Sequence, residues 1–147
     1  MTGRDLSDDE TQIAAVCRSL KTIAVIGAHH EVSRPAHDVP AYLHQRGVAV
    51  CPVNPRFAGQ TLFGEQVSKS LAELSRGEGR RIDLVNVFRA SHAVGEHVDD
   101  ILSMTPLPAI VWLQLGIRDD QSAQVLQQAG LHVVQDRCLL VDYRRFV

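Results

Sequence analysis

Five short apolar runs, rich in β-branched residues, recur along the chain at intervals that each fit one helix. They are Thr22–Gly27, Val48–Val53, Ile82–Phe88, Ala109–Leu115 and Leu131–Gln135. They begin at residues 22, 48, 82, 109 and 131, so successive starts lie 26, 34, 27 and 22 residues apart. The first and fourth are almost continuously apolar, which suits strands buried on both faces of a parallel sheet. Each gap holds one crossover, and the chain reads βαβαβαβαβ. The expected architecture is α/β and three-layered: a five-stranded parallel sheet, in order 3-2-1-4-5, with helices on both faces. A length of 147 residues, with no repeat or linker, leads us to expect one domain over 1–147.

The gaps carry helix signals. Ser7-Asp8-Asp9-Glu10 has capping-box spacing, with Ile13, Val16, Cys17 and Leu20 behind it on one face. Ser33 is the expected cap of the next helix, with Pro35 in its first turn and Gly47 as its stop. Pro40 lies inside that helix and removes one backbone bond, so a kink or broken turn is expected there. Val67, Leu71 and Leu74 mark a shorter helix, and Ser91 opens another with Val94, Val98, Ile101 and Leu102 inward. Asp119 caps the last, with Val125, Leu126 and Ala129 inward and Gly130 ending it. Gly77-Glu78-Gly79-Arg80-Arg81 reads as a polar turn.

Composition narrows the function. Fifteen basic and 17 acidic residues leave a formal charge of −2, which gives no support to a nucleic-acid or anionic-membrane binder. No apolar run approaches the roughly 18 residues of a membrane span. The polar start of the chain lacks a secretory h-region. Cys17, Cys51 and Cys138 are scattered and odd in number, a reduced, cytoplasmic pattern.

An open parallel sheet binds ligands outside the carboxyl ends of its strands, where strand order reverses. Those ends are Gly27-Ala28-His29-His30, Asn54-Pro55-Arg56, Arg89-Ala90-Ser91 and Gln114-Leu115-Gly116. The first leads into a helix whose free N–H groups and positive end suit a diphosphate. The dinucleotide fingerprint Gly-x-Gly-x-x-Gly is missing, because His29 and Val32 stand where glycines are required. The acidic residue that holds a free ribose diol is missing too, and Asn54 and Arg56 stand in its place. A neutral or cationic corner suits a ribose bearing its own phosphate, as in NADP or coenzyme A. Arg34 adds a second cation for the diphosphate.

An ordered set of motifs carries a resemblance. It runs Ile23-Ala24-Val25-Ile26-Gly27, Ser33-Arg34-Pro35-Ala36, Val53-Asn54-Pro55, and Asp83-Leu84-Val85-Asn86-Val87-Phe88-Arg89. It continues through Val111-Trp112-Leu113-Gln114-Leu115-Gly116 and from Ala129-Gly130-Leu131 to Asp136-Arg137-Cys138. In this order, from about residue 20 to 138, the chain resembles the stand-alone CoA-binding domain family. It resembles, more distantly, the CoA-binding half of the succinyl-CoA synthetase α subunit. The resemblance implies a Rossmann-like fold and a CoA or acyl-CoA ligand. It implies that Gly27, Ala28, His29 and His30, with Ser33, Arg34, Pro35 and Ala36, cradle the diphosphate. Val53, Asn54, Pro55 and Arg56 would form the adenosine and 3′-phosphate corner. Phe88 and Arg89 would wall the adenine or the start of the pantetheine arm, and Gln114 and Gly116 would line the arm's path. Two residues depart from the pattern. His29 stands where the family often has a small hydroxyl residue, and Pro40 where an ordinary helix former is expected.

The remaining reactive residues have plainer readings. His29, His30 and His37 lie close in sequence but have no zinc spacing, and His92 and His97 sit about 140° apart on a helix, so no metal is expected. Cys138 has Arg137 beside it but no histidine near in sequence to act as base. Trp112, mid-strand, reads as packing against a helix. No nucleophile–base–orienter set is legible, so no catalytic residue is assigned. The expected activity is recognition of a nucleotide-type small molecule by a binding or regulatory module. One alternative is a small NADP-dependent oxidoreductase or regulator. Another is a subunit of an acyl-CoA ligase, acting with a partner chain. A homo-oligomer is compatible with the reading, and no residue identifies a protein partner.

Overall fold

The computed structural model describes residues 2–75 and 80–147. Its main sheet holds β1 (Thr22–Ile26), β2 (Ala49–Val53), β5 (Leu84–Val87), β6 (Ile110–Leu113) and β7 (His132–Val134). All neighbours are parallel, and the order is β2-β1-β5-β6-β7. The five apolar runs thus form the five strands, in a three-layer Rossmann-like α/β fold. Numbered as runs, the order is 2-1-3-4-5, which corrects the expected 3-2-1-4-5. The chain steps from β1 to β2 on one side and then returns to pair β5 on the other side of β1. Strand order therefore reverses between β1 and β5, and a crevice opens there at the carboxyl ends.

Among the described residues, six helices cover the sheet: α1 (Glu10–Ser19), α2 (Pro35–Gln45), α3 (Leu71–Ser75), α4 (Val98–Leu102), α5 (Asp120–Gln128) and α6 (Leu139–Phe146). Strand side chains alternate between two cores, as a pleated strand requires. Ile23, Val25, Leu84 and Trp112 pack with Ile13, Val39, Leu43, Leu139 and Tyr143, beneath α1, α2 and α6. Ala24, Ile26, Val85 and Val111 pack with Leu71, Val98, Ile101 and Leu126, beneath α3, α4 and α5. Trp112 is fully buried, and its indole N–H donates to the Arg137 carbonyl.

Several local expectations change. The α1 cap is Asp9, whose carboxylate accepts from the Gln12 N–H. Ser7 instead donates its hydroxyl to Asp5 and accepts from the Gln135 N–H. The α2 N-cap is Arg34, because Pro35 occupies the first helical position and pushes Ser33 out of the cap. The segment from Ser91 to His97 is a 3-10 helix, and only Val98–Leu102 is α-helical. In α5 the inward residues are Ala123 and Leu126, while Val125 is 42% exposed and Ala129 faces solvent. A two-stranded antiparallel hairpin, β3 (Thr61–Leu62) and β4 (Glu65–Gln66), follows β2. Gly77–Gly79 of the expected polar turn lie outside the described residues.

The edges of the main sheet are occupied. At β7, Asp5 bridges Val133 in parallel, the Leu6 N–H donates to the Val133 carbonyl, and the Val133 N–H donates to Arg4. At β2, Ser68 bridges Val53 and donates its N–H to the Pro52 carbonyl. Arg137 clamps the amino-terminal segment to α6. It makes two bonds to Asp142, of 2.8 and 2.9 Å, and one to the Ser7 carbonyl of 2.9 Å. Among the described residues no helix is long and apolar enough to cross a membrane.

Candidate functional site

The crevice at the switch point is a cavity of about 690 Å³. Gly27, His29, Arg34 and Ala36 line it from the β1–α2 side, and Val53, Asn54, Pro55 and Arg56 from the end of β2. Phe88 and Arg89 close it from β5. A second cavity of about 330 Å³ is lined by Pro35, Gln114, Ala90, Leu115 and Ile117. Arg34, Ala36, Phe88 and Arg89 belong to both walls, so the two spaces adjoin. Four sequence-predicted residues line neither. Ala28 is fully buried, His30 stacks outside on His29, Ser33 is exposed before α2, and the Gly116 N–H is held by Asp136.

The close approach at Gly27 explains its residue type. Its φ is +86°, and a Cβ added there would meet the Phe88 carbonyl oxygen at 2.3 Å. Only glycine fits a left-handed residue against a neighbouring strand end. Asn54 then joins the two loops. Its amide Nδ2 donates to the Ala28 carbonyl at 3.0 Å, and its Oδ1 accepts from the Arg56 N–H at 3.0 Å. Asn54 therefore shapes the β2 corner with polar atoms already committed. Gln114 is similar. Its Oε1 accepts from Asn86 Nδ2 and from the Leu139 N–H that opens α6, each at 3.3 Å.

The loop after β1 is tied to α2 by an unusual route. Pro40 lies inside α2 and cannot donate to the Ala36 carbonyl, yet the helix runs through it without a break. The Ala36 carbonyl instead accepts from the His29 N–H at 3.3 Å. His37 Nδ1 donates to the His29 carbonyl at 2.8 Å, so both backbone groups of His29 rest on α2. The His29 ring accepts from the Glu31 N–H at 3.0 Å through Nδ1. It also meets Phe57 edge-on, with ring centres 4.9 Å apart. Desolvation, and then the Arg34 charge, hold this imidazole below the usual histidine value.

Charge is distributed unevenly around the larger cavity. Arg34 pairs with Glu31 at 2.8 Å, which lowers the Glu31 pKa, and Arg89 pairs with Glu96 at 3.2 Å. Arg56 and Lys69 have no ion pair among the described residues. The far wall carries Ser70, Glu96, His97 and Asp100. Asp100 caps α3 by accepting from the Leu71 and Ala72 N–H groups at 2.9 and 3.2 Å. His97 Nε2 and Asn86 Oδ1 are the two buried side-chain polar atoms without a partner among the described residues. Burial, and then Arg89, push the His97 imidazole below its ordinary value. Sequence reasoning missed Lys69, Ser70, Glu96, His97 and Asp100, because none lies at a strand's carboxyl end. No group of three His, Cys, Asp or Glu side chains able to hold a metal occurs among the described residues.

Residues 21–144 match the family model described as CoA binding domain. The chain belongs to this family. Within it, this CoA-binding domain is 30% identical over 134 residues to the uncharacterized protein YneT of Bacillus subtilis. The match covers 91% of this chain and 93% of that one. A solved structure from Thermus thermophilus is 44% identical, with a TM-score of 0.85 over 95% of this chain and 99% of the other. A hypothetical protein from Pyrococcus horikoshii shares the fold at 24% identity, with a TM-score of 0.83 and coverage of 99% and 98%.

Proposed function

We propose that this CoA-binding domain holds CoA or an acyl-CoA in the two adjoining cavities, and that its role is recognition rather than catalysis. The observation that carries the reading is the charge of the β2 corner. Arg56 and Lys69 flank a cavity of about 690 Å³ and have no carboxylate partner among the described residues. Two cations at that corner, with no acid paired to them, suit a phosphorylated ribose. The diphosphate would lie across the start of α2, where Gly27 lets backbone approach closely. The base would lie toward His97, whose orphaned buried nitrogen favours a ligand with a polar edge. The pantetheine arm would run through the smaller, more apolar cavity beside Phe88, Leu115 and Ile117.

The test is thermal unfolding with CoA, acetyl-CoA, dephospho-CoA, NAD and NADP at matched concentrations. A ligand at 100 times its Kd stabilises the native state by about 2.7 kcal/mol. In a domain this small that is a rise of several degrees. CoA should give that rise, dephospho-CoA a smaller one, and NAD none. A rise with NADP alone would replace this reading with the oxidoreductase, and equal rises with CoA and dephospho-CoA would remove the role given to Arg56 and Lys69.

A further inference from the structure

We infer that the carboxyl-terminal ends of α1, α2 and α6 together form a docking surface for an acidic segment of another protein. The inference stands apart from the CoA reading, because the surface lies at the opposite end of the sheet from the cavities. Helix α1 leads into β1, and α2 and α6 each follow a strand of the parallel sheet, so all three end at its amino-terminal edge. Tyr42 of α2 stands at the centre. The Arg46 guanidinium lies over its ring, 4.9 Å from the centroid, and the Arg144 guanidinium lies at 5.9 Å. Tyr143 of α6 meets the same ring edge-on, with centres 6.4 Å apart. Arg18, in the last turn of α1, donates Nε–H to the Phe146 carbonyl at 3.0 Å, which brings a third guanidinium to the seam.

Charge decides the occupant. Arg18, Arg46 and Arg144 are exposed, and none has a carboxylate partner among the described residues. Each helix end carries only about half a negative charge, so the three dipoles leave these guanidiniums in excess. A chain of formal charge −2 thus gathers unpaired cations on one face. The face is not purely cationic. Val141, one turn before Arg144 and Arg145 on α6, is 57% exposed. Arginine and tyrosine around an exposed aliphatic side chain suit a protein partner, and unpaired guanidiniums select its carboxylates. A second copy does not fit, since pairing this face with itself sets arginine against arginine. A polynucleotide fits less well than a protein, because Glu10 pairs with Arg145 at 2.8 Å and places a carboxylate beside the face.

The test is fluorescence anisotropy of a labelled peptide of Glu-Leu-Glu-Glu repeats, titrated with the full chain. The parent should bind it, and the same peptide with glutamine for glutamate should not bind. Arg46→Gln with Arg144→Gln should weaken binding about tenfold, and Arg46→Lys with Arg144→Lys should recover part of the loss. Arg56→Gln with Lys69→Gln removes the same charge from the larger cavity and should leave the peptide's affinity unchanged. The Arg46 and Arg144 variants should keep the parental melting temperature and its response to CoA, since neither residue belongs to the cavity walls. In nitrogen-15 spectra the peptide should shift amides of α2 and α6. A parent chain that does not bind the peptide would overturn the inference. Equal losses in the two double-glutamine variants would do so too, leaving net charge as the only determinant. Tighter binding of oligouridylate or of phosphatidylserine vesicles at this face would also overturn it, as would a dimer of the parent that the Arg46 and Arg144 substitutions dissociate.

Discussion

Replacing Pro40 with alanine tests whether the helix and the ligand loop share one carbonyl. An interior helical proline is about 3 kcal/mol less favourable than alanine, so propensity alone predicts a large gain in stability. Two losses oppose it. Pro40 is buried, and alanine removes about two methylenes from the space beneath α2, at about 0.8 kcal/mol each. The backbone N–H that alanine restores at this position also competes for the Ala36 carbonyl now held by His29, a bond contributing about 1 kcal/mol. The opposing contributions nearly cancel. Pro40→Ala should therefore unfold in urea within about 1 kcal/mol of the parent. It should also bind CoA several-fold more weakly, because the loop loses its tie to α2. A gain close to 3 kcal/mol would refute the reasoning, since the carbonyl would then be doing nothing for His29.

Gly27→Ala forces a left-handed alanine against the Phe88 carbonyl and should cost at least about 2 kcal/mol, read from urea unfolding, while abolishing CoA-induced stabilisation. Asp142→Ala leaves the Arg137 guanidinium, whose side chain is 19% exposed, without its two-point partner; a loss of about 3 kcal/mol is expected by circular dichroism. Asp5 is pushed up by burial, but bonds from the Ser7 hydroxyl and N–H and from Gln135 outweigh this and lower its pKa. Its contribution is present above the unfolded value near 3.8 and is lost as pH falls through the lower folded value. Asp5→Asn should melt below the parent at pH 6, and the gap should close as both are taken to pH 2.

The five strands were legible because each is buried on both faces, which makes the runs apolar whatever their neighbours. Their order was not, since pairing β5 against β1 is decided by packing rather than by any run's composition. Helix α6 escaped notice because Leu139-Leu140-Val141 is a continuous apolar stretch with no side-chain cap. Its first N–H is satisfied from Gln114, 25 residues away. The β3–β4 hairpin turns through Phe63 and Gly64 at φ of 55° and 75°, and a phenylalanine at the first of those positions hides the turn. The site divides in the same way. Gly27, Arg34, Asn54, Arg56 and Arg89 stand at strand ends and helix starts, where position in the run is informative. Lys69 and His97 reach the cavity from a connection and a 3-10 segment, and only the folded chain brings them there.

The occupied edges of the sheet carry a consequence for self-association. An uncovered parallel edge is a template on which another chain can add a strand. Here residues Arg4–Leu6 take the ladder of β7, and Pro52 presents no N–H on the outer side of β2, where Ser68 already holds its carbonyl. At these positions the ladder a second copy would pair with is already taken. Loss of the first six residues would uncover the Val133 ladder on β7 and reopen that edge to the sheet-to-sheet growth that precedes aggregation.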